Sequence, residues 1–121
     1  MLRYTGHWTL LGFGYWVVCE AASGKFVGEV GLADFRRDMD PSFGDAPEAG
    51  WVLSPWAHGR GYATEAVRAV LAWSDATLGS PRTVCMIDVG NAASIRVAEK
   101  CGYGEWMRTQ YKGTDVVLFE R

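Results

Sequence analysis

Along one stretch of this chain apolar residues recur at steps of three and four, and over most of the rest they cluster in short β-branched or aromatic runs. From Gly61 or Tyr62 to Leu78, the residues Ala63, Ala66, Val67, Val70, Leu71, Ser74 and Leu78 fall on one helical face. Gly79 stands where a C-terminal cap is expected, and Pro81 follows. Residues 13–20 (FGYWVVCE) are aromatic and β-branched, a strand signal. Residues 21–24 make a turn, and 25–35 (KFVGEVGLADF) read as the returning strand. Residues 36–47 hold Arg, Asp, Pro, Ser and Gly and read as a loop. A third strand follows at 48–53, stopped by Ser54-Pro55. Further on, 82–88 (RTVCMID) is a strand and 91–100 a second helix with Gly102 beyond its end. Residues 103–111 and 114–120 form a final strand pair around Lys112-Gly113. Residues 1–12 read as the end of a helix leading into Gly12. The order is three strands, helix, strand, helix, two strands, a mixed α/β (α+β) layer fold.

Length and composition narrow the class. A chain of 121 residues with 49% hydrophobic and 21% charged residues suits one soluble domain, 1–121, with one core. No apolar run approaches a bilayer span, and the N-terminus lacks a secretory pattern, so no membrane partner and a cytoplasmic location are expected. Cys19, Cys85 and Cys101 are dispersed without C-x-x-C spacing, which argues against a disulfide framework and a zinc site. His7 and His58 have no partner spacing for a metal, so none is expected. A net charge of −2 gives no general grip on nucleic acid. Acids outnumber bases over residues 1–53, and bases outnumber acids over 54–112. That asymmetry suits a cationic substrate meeting an anionic cofactor, although Asp34, Asp38, Asp40, Asp45 and Glu48 read equally as solvated loop charge.

The stretch WVLSPWAHGRGYATEA (residues 51–66) carries the candidate chemistry. A strand ends, a glycine-containing loop follows and a helix starts. The first turn of a helix offers backbone N–H groups without partners, and the helix dipole favours an anion there. Gly59 and Gly61 remove β-carbons that would hold a pyrophosphate away from those donors, and Arg60 can add positive charge. A tight strand-to-helix turn would need the same glycines for its geometry alone. No G-x-x-x-x-G-K-[ST] occurs anywhere in the chain. A dinucleotide fingerprint fails as well: Thr64 stands at its third glycine, and the loop follows several strands.

With these residues in view, the resemblance becomes specific. HGRGYATEA (residues 58–66) resembles the acetyl-CoA pyrophosphate loop of the GNAT superfamily, [QR]-x-x-G-x-[GA], with His58 in the Gln/Arg position and Gly61 and Ala63 matching. EAGWVLSP (48–55) and NAASIRVAEKCGY (91–103) are similar to further motifs of its ribosomal-protein N-acetyltransferase (RimJ/RimL-like) branch. The resemblance implies a central, mostly antiparallel sheet splayed between the strand holding Val52 and Leu53 and the strand at 82–88. The pantetheine arm of acetyl-CoA would fill that gap, held by the backbone of Val52 and Leu53 beside Ser54. The amides from Gly59 through Arg60, Gly61, Tyr62 and Ala63 to Thr64 would take the pyrophosphate. Asn91 matches the family asparagine that bonds the pantetheine amides, or is a plain helix N-cap.

The same resemblance implies an N-acetyltransferase, an acyltransferase that moves an acetyl group to a primary amine: a protein N-terminus, an amino acid or a small amine. Glu48 stands where related enzymes place a catalytic glutamate. It lies four residues before Val52, at roughly 13 Å between Cα atoms, so it would act as a base through water. The tyrosine that many members use as an acid falls on Ala98. Ser94 stands where the RimJ/RimL-like branch places a serine, as a thiolate partner or a local cap. Family members normally begin with a further strand and two helices, and here only residues 1–12 could supply part of them. The strand at 13–20 is therefore expected to show an open edge, covered by a second subunit in a homodimer. The alternative is a shortened, non-catalytic coenzyme A-binding or interaction module.

Overall fold

The computed structural model describes residues 2–8, 14–33 and 43–121, with 3–8 as backbone alone. Seven strands form one sheet: β1 (Leu2–Trp8), β2 (Gly14–Glu20), β3 (Phe26–Ala33), β4 (Glu48–Leu53), β5 (Val84–Asp88), β6 (Gly104–Tyr111) and β7 (Thr114–Glu120). Helix α1 (Tyr62–Leu78) and helix α2 (Ala92–Lys100) flank β5 in the chain, and a short 3-10 turn, Pro55–Ala57, separates β4 from α1. The spatial order is β1-β2-β3-β4-β5-β7-β6, antiparallel throughout except at the β4–β5 contact.

Local sequence explains most of these elements. Lys112 and Gly113 both have positive φ, the twist that a two-residue hairpin between Tyr111 and Thr114 requires. The apolar stripe of α1 buries Ala66, Val67, Val70, Leu71 and Ser74. Ala66, Val67, Val70 and Leu71 share a core with Val18, Val27, Val30, Leu32 and Ala49 of the sheet. Trp16 of β2 meets Trp73 of α1 edge-on at 5.0 Å between ring centroids, fastening the helix over the strand. Helix α2 sets Ala98 into the same core.

Residues 2–8 depart from expectation. They form a strand, not the end of a helix, pairing from Leu2↔Glu20 to Trp8↔Gly14. The segment carries Tyr, Thr and Trp with a central glycine, a composition that favours extended backbone over helix. The N–H and C=O row of β2 supplies partners that a short solvent-exposed helix would lack. The open edge expected at 13–20 is thus occupied by β1, and the sheet edge on that side is β1 itself. The acidic positions Asp34, Asp38 and Asp40, and the run 9–13, lie outside the described residues. Among the described residues no helix is long and apolar enough to cross a membrane.

Candidate functional site

Strands β4 and β5 meet at one point and then part. Glu48 pairs with Val84, and the Val84 N–H donates to the Pro47 carbonyl at 3.0 Å. Beyond this apex no ladder joins the described residues of the two strands, while β3 stays paired to β4 through to Leu53. Register decides which backbone groups face the gap. The Ser54 N–H donates to the Val27 carbonyl at 2.8 Å, and antiparallel bonding alternates from there. Val52 therefore spends its amide and carbonyl on β3. Ala49, Trp51 and Leu53 turn theirs toward β5. The Leu53 carbonyl is met by His58 Nε2 at 3.1 Å. A carbonyl only accepts, so this nitrogen carries the proton.

The cleft opened by the splay has two chambers. The larger, about 620 Å³, is lined by Val52, Leu53, His58, Gly59, Gly61, Tyr62, Ala63, Thr64, Asn91 and Ser94 among others. The smaller, about 250 Å³, brings together Glu48, Val52, Asn91 and Ser94 with Tyr15, Cys85 and Asp88. Trp51, Val52, Asn91 and Ser94 line both.

The loop between the 3-10 turn and α1 has the geometry of an anion cradle. Gly59 and Gly61 have φ of 75° and 77°, the left-handed region that glycine adopts without strain. A β-carbon at either would meet nothing within 4 Å. Gly61 is the N-cap of α1, and no side chain caps the helix. Among the described residues no side chain caps these first-turn donors, and Gly61, Tyr62, Ala63 and Thr64 line the larger chamber. Arg96 and Lys100 line the same chamber from α2, one helical turn apart, and add positive charge. Their spacing was readable from the sequence but carried no motif.

Two predicted cofactor residues lie outside this lining. Arg60 turns back, its Nε donating to the Trp56 carbonyl at 2.9 Å, with its guanidinium 5.5 Å from the Trp56 ring centroid. Ser54 caps the 3-10 turn, its carbonyl accepting the Ala57 N–H at 2.9 Å. Trp56 is itself anchored, its indole N–H donating to the Phe26 carbonyl at 2.7 Å. Tyr62, the first residue of α1, donates its hydroxyl to Glu20 of β2. That bond holds the Glu20 carboxyl below and the Tyr62 phenol above their ordinary values.

Asn91 is the N-cap of α2, with Oδ1 accepting the Ser94 N–H at 3.1 Å. The cap uses the oxygen and leaves the amide N–H donors of a residue that lines both chambers. Ser94 is capped and does not do the capping. Glu48 is 6% exposed at the closed apex. Burial foremost, then the charge of Glu48, pushes the Cys85 thiol well above its ordinary value, so Cys85 stays protonated. Ala98 is fully buried. Tyr103 is locked in the core by a 2.8 Å bond with Thr83, and burial raises its phenol. No group of three or more His, Cys, Asp or Glu among the described residues is arranged to hold a metal ion.

Against known proteins, residues 2–104 match the family described as acetyltransferase (GNAT) domain. The chain is 31% identical over 112 residues to the Bacillus subtilis protein YkkB, described as uncharacterized, covering 91% of this chain and 62% of that protein. Among solved structures, a protein described as a GnaT-family acetyltransferase from Bordetella pertussis superposes with a TM-score of 0.84 at 35% identity, over 90% of this chain and 65% of the other. The ribosomal-protein-S5-alanine acetyltransferase of Vibrio fischeri superposes with a TM-score of 0.76 over 90% of this chain and 61% of that one. At 19% identity that likeness concerns the fold alone. The chain thus spans somewhat under two thirds of the length of these relatives.

Proposed function

This chain belongs to the GNAT acetyltransferase family, and on that premise we propose that it transfers the acetyl group of acetyl-CoA to a primary amine by direct attack. The observation that carries the reading is the uncapped α1 N-terminus on two left-handed glycines, opening into the cleft between β4 and β5. A pyrophosphate is the ligand such a terminus suits, because two charges meet several aligned N–H donors and the positive end of the helix dipole. Arg96 and Lys100 supply further charge from the opposite wall.

The other residues divide the remaining work. The gap-facing amides of Trp51 and Leu53 suit an extended pantetheine arm, which takes the place of a missing strand. One of them, set against the thioester oxygen, would stabilise the oxyanion that forms on attack. Asn91 offers its amide N–H groups to the arm. Glu48, buried at the apex, takes the proton of the incoming ammonium through water, because only the free amine attacks. Ser94, at the mouth of both chambers, hydrogen-bonds the departing thiolate. His58 ties the loop to the end of β4 in place of the Gln or Arg that the family pattern carries.

The branch similar to ribosomal-protein acetyltransferases rests on the sequence motifs 48–55 and 91–103, and it favours a protein N-terminus or small amine as acceptor. A second reading is a module that holds coenzyme A without turning over. Thiol release measured with acetyl-CoA and a panel of primary amines separates the two. Turnover that Glu48→Gln removes supports the enzyme; saturable cofactor binding without turnover on any amine supports the binding module.

A further inference from the structure

Tyr15 of β2 lies two strands away from the splay, yet it lines the smaller chamber beside Glu48. Three registers explain how. Tyr15 pairs with Gly31 of β3, and Gly31 pairs with Gly50 of β4, so the three positions form one row across the sheet. Gly31 faces the β2 backbone, and Gly50 lacks a side chain at the point where the phenol ends. A β-carbon at Gly31 would stand 2.6 Å from the Tyr15 Cα. One at Gly50 would stand 2.0 Å from the Tyr15 hydroxyl oxygen and 3.2 Å from the ring carbon that bears it. Strand side chains ordinarily stand up from the sheet. This one reaches across β3 and ends against β4 at Gly50.

The row also fixes the face. Alternation puts Trp16, Val18, Val30 and Ala49 toward α1, and Tyr15, Gly31, Gly50 and Glu48 on the opposite side. The hydroxyl thus reaches the cleft on the side of Glu48, away from the helix whose N-terminus faces the larger chamber. Asp88, at the far end of β5, lines the same small chamber. Its walls bring Glu48, Asp88 and Tyr15 together around a space of about 250 Å³, room for an amine head and a few waters, with Asp88 Oδ1 accepting from the Gly90 N–H at 2.9 Å.

We propose that Tyr15 is a specificity-determining residue for the acceptor, its hydroxyl accepting a hydrogen bond from the acceptor's ammonium or amine group beside Glu48. A primary ammonium has three N–H donors and no acceptor. A site that offers the Tyr15 hydroxyl, a water held by the Glu48 carboxylate and Asp88 answers all three. Gly50 then serves the acceptor site, by leaving room for the phenol. This assignment rests on the acetyltransferase reading.

The test is Tyr15→Phe, which keeps the ring in its groove and removes only the hydroxyl. Tyr111→Phe, the same chemical change on the far edge strand β6, is the control. Kinetics are run with the best primary amine of the panel, and acetyl-CoA binding is measured by calorimetry. A hydrogen bond to a charged group lost from bound substrate and transition state alike raises KM without changing kcat. The expected result is an acceptor KM raised about tenfold or more for Tyr15→Phe, kcat within about threefold, and acetyl-CoA affinity unchanged. Tyr111→Phe should match the parent protein. Unchanged acceptor KM in Tyr15→Phe overturns the role of Tyr15 and leaves the acetyltransferase reading standing. A parent protein that acetylates no amine overturns both, and loss of acetyl-CoA affinity in Tyr15→Phe assigns the residue to the cofactor side instead.

Discussion

Helix α1 has glycine at both ends in the same backbone conformation, and that symmetry isolates the function of the loop. Gly61 begins the helix at φ 77° and Gly79 ends it at φ 76°, and a β-carbon at either meets nothing within 4 Å. Substitution by alanine therefore carries the same cost at both, the left-handed strain of an L-residue, about 1 kcal/mol or somewhat more. For a domain of this size that is roughly 3–6 °C in Tm, too little to unfold it. Only Gly61 and its neighbour Gly59 line the larger chamber. A methyl group there would stand between the phosphates and the amides, removing one or two charge-assisted bonds. At about 1.5–3 kcal/mol each, acetyl-CoA affinity should fall tenfold to a hundredfold or more. Differential scanning calorimetry and isothermal titration on Gly59→Ala, Gly61→Ala and Gly79→Ala should show equal thermal losses in all three and weakened binding in the first two alone. Full acetyl-CoA affinity in Gly61→Ala would refute the cradle, as would equal weakening in Gly79→Ala.

The same geometry sets three further outcomes. Glu48→Gln should lower kcat by about a hundredfold or more with acetyl-CoA affinity retained, since it removes a base and no cofactor contact; steady-state kinetics beside calorimetry check this, and unchanged kcat would exclude Glu48. Ser74 buries a hydroxyl that has no hydrogen-bond partner among the described residues, so Ser74→Ala should stabilise the fold by about 1 kcal/mol; a lower urea midpoint would contradict that. Asp75 accepts from both Arg121 Nη1 and Nη2, at 3.2 and 2.9 Å, and this pairing holds its carboxyl below the ordinary value. A folded pKa below the unfolded one contributes stability at neutral pH that is lost as pH falls through the folded pKa. Asp75→Asn should therefore be less stable than the parent at pH 7, with the gap narrowing as pH falls below the ordinary carboxylate range; a gap independent of pH would sink the assignment.

Helix α1 was legible in the sequence because period, C-terminal glycine and following proline agree along a single stretch. The loop 58–64 was legible as a strand-to-helix turn because Gly59 and Gly61 take left-handed φ values, a need that a local pattern records. Tyr15 was concealed because its relation to Glu48 depends on register across three strands, and register is a property of pairing. The identity of the gap-facing amides was concealed for the same reason. A run of apolar residues at 48–53 does not say which alternate set turns to β3, and the bond from Ser54 to Val27 decides it. Residues 2–8 read as a helix end because a short segment with Tyr, Thr and Trp takes its state from the neighbour that satisfies its backbone, here the edge of β2. The turn 55–57 escaped notice because Pro55 signals the end of a strand and says little about the conformation of the residues after it.

The central claim is that the cleft between β4 and β5, closed at one end by the α1 N-terminus, is built for acetyl-CoA. Calorimetric titration of the purified protein with acetyl-CoA, with NAD as the control nucleotide, tests it most directly. Saturable one-to-one binding of acetyl-CoA and none of NAD is the predicted result. No heat from either, or equal binding of both, would contradict it.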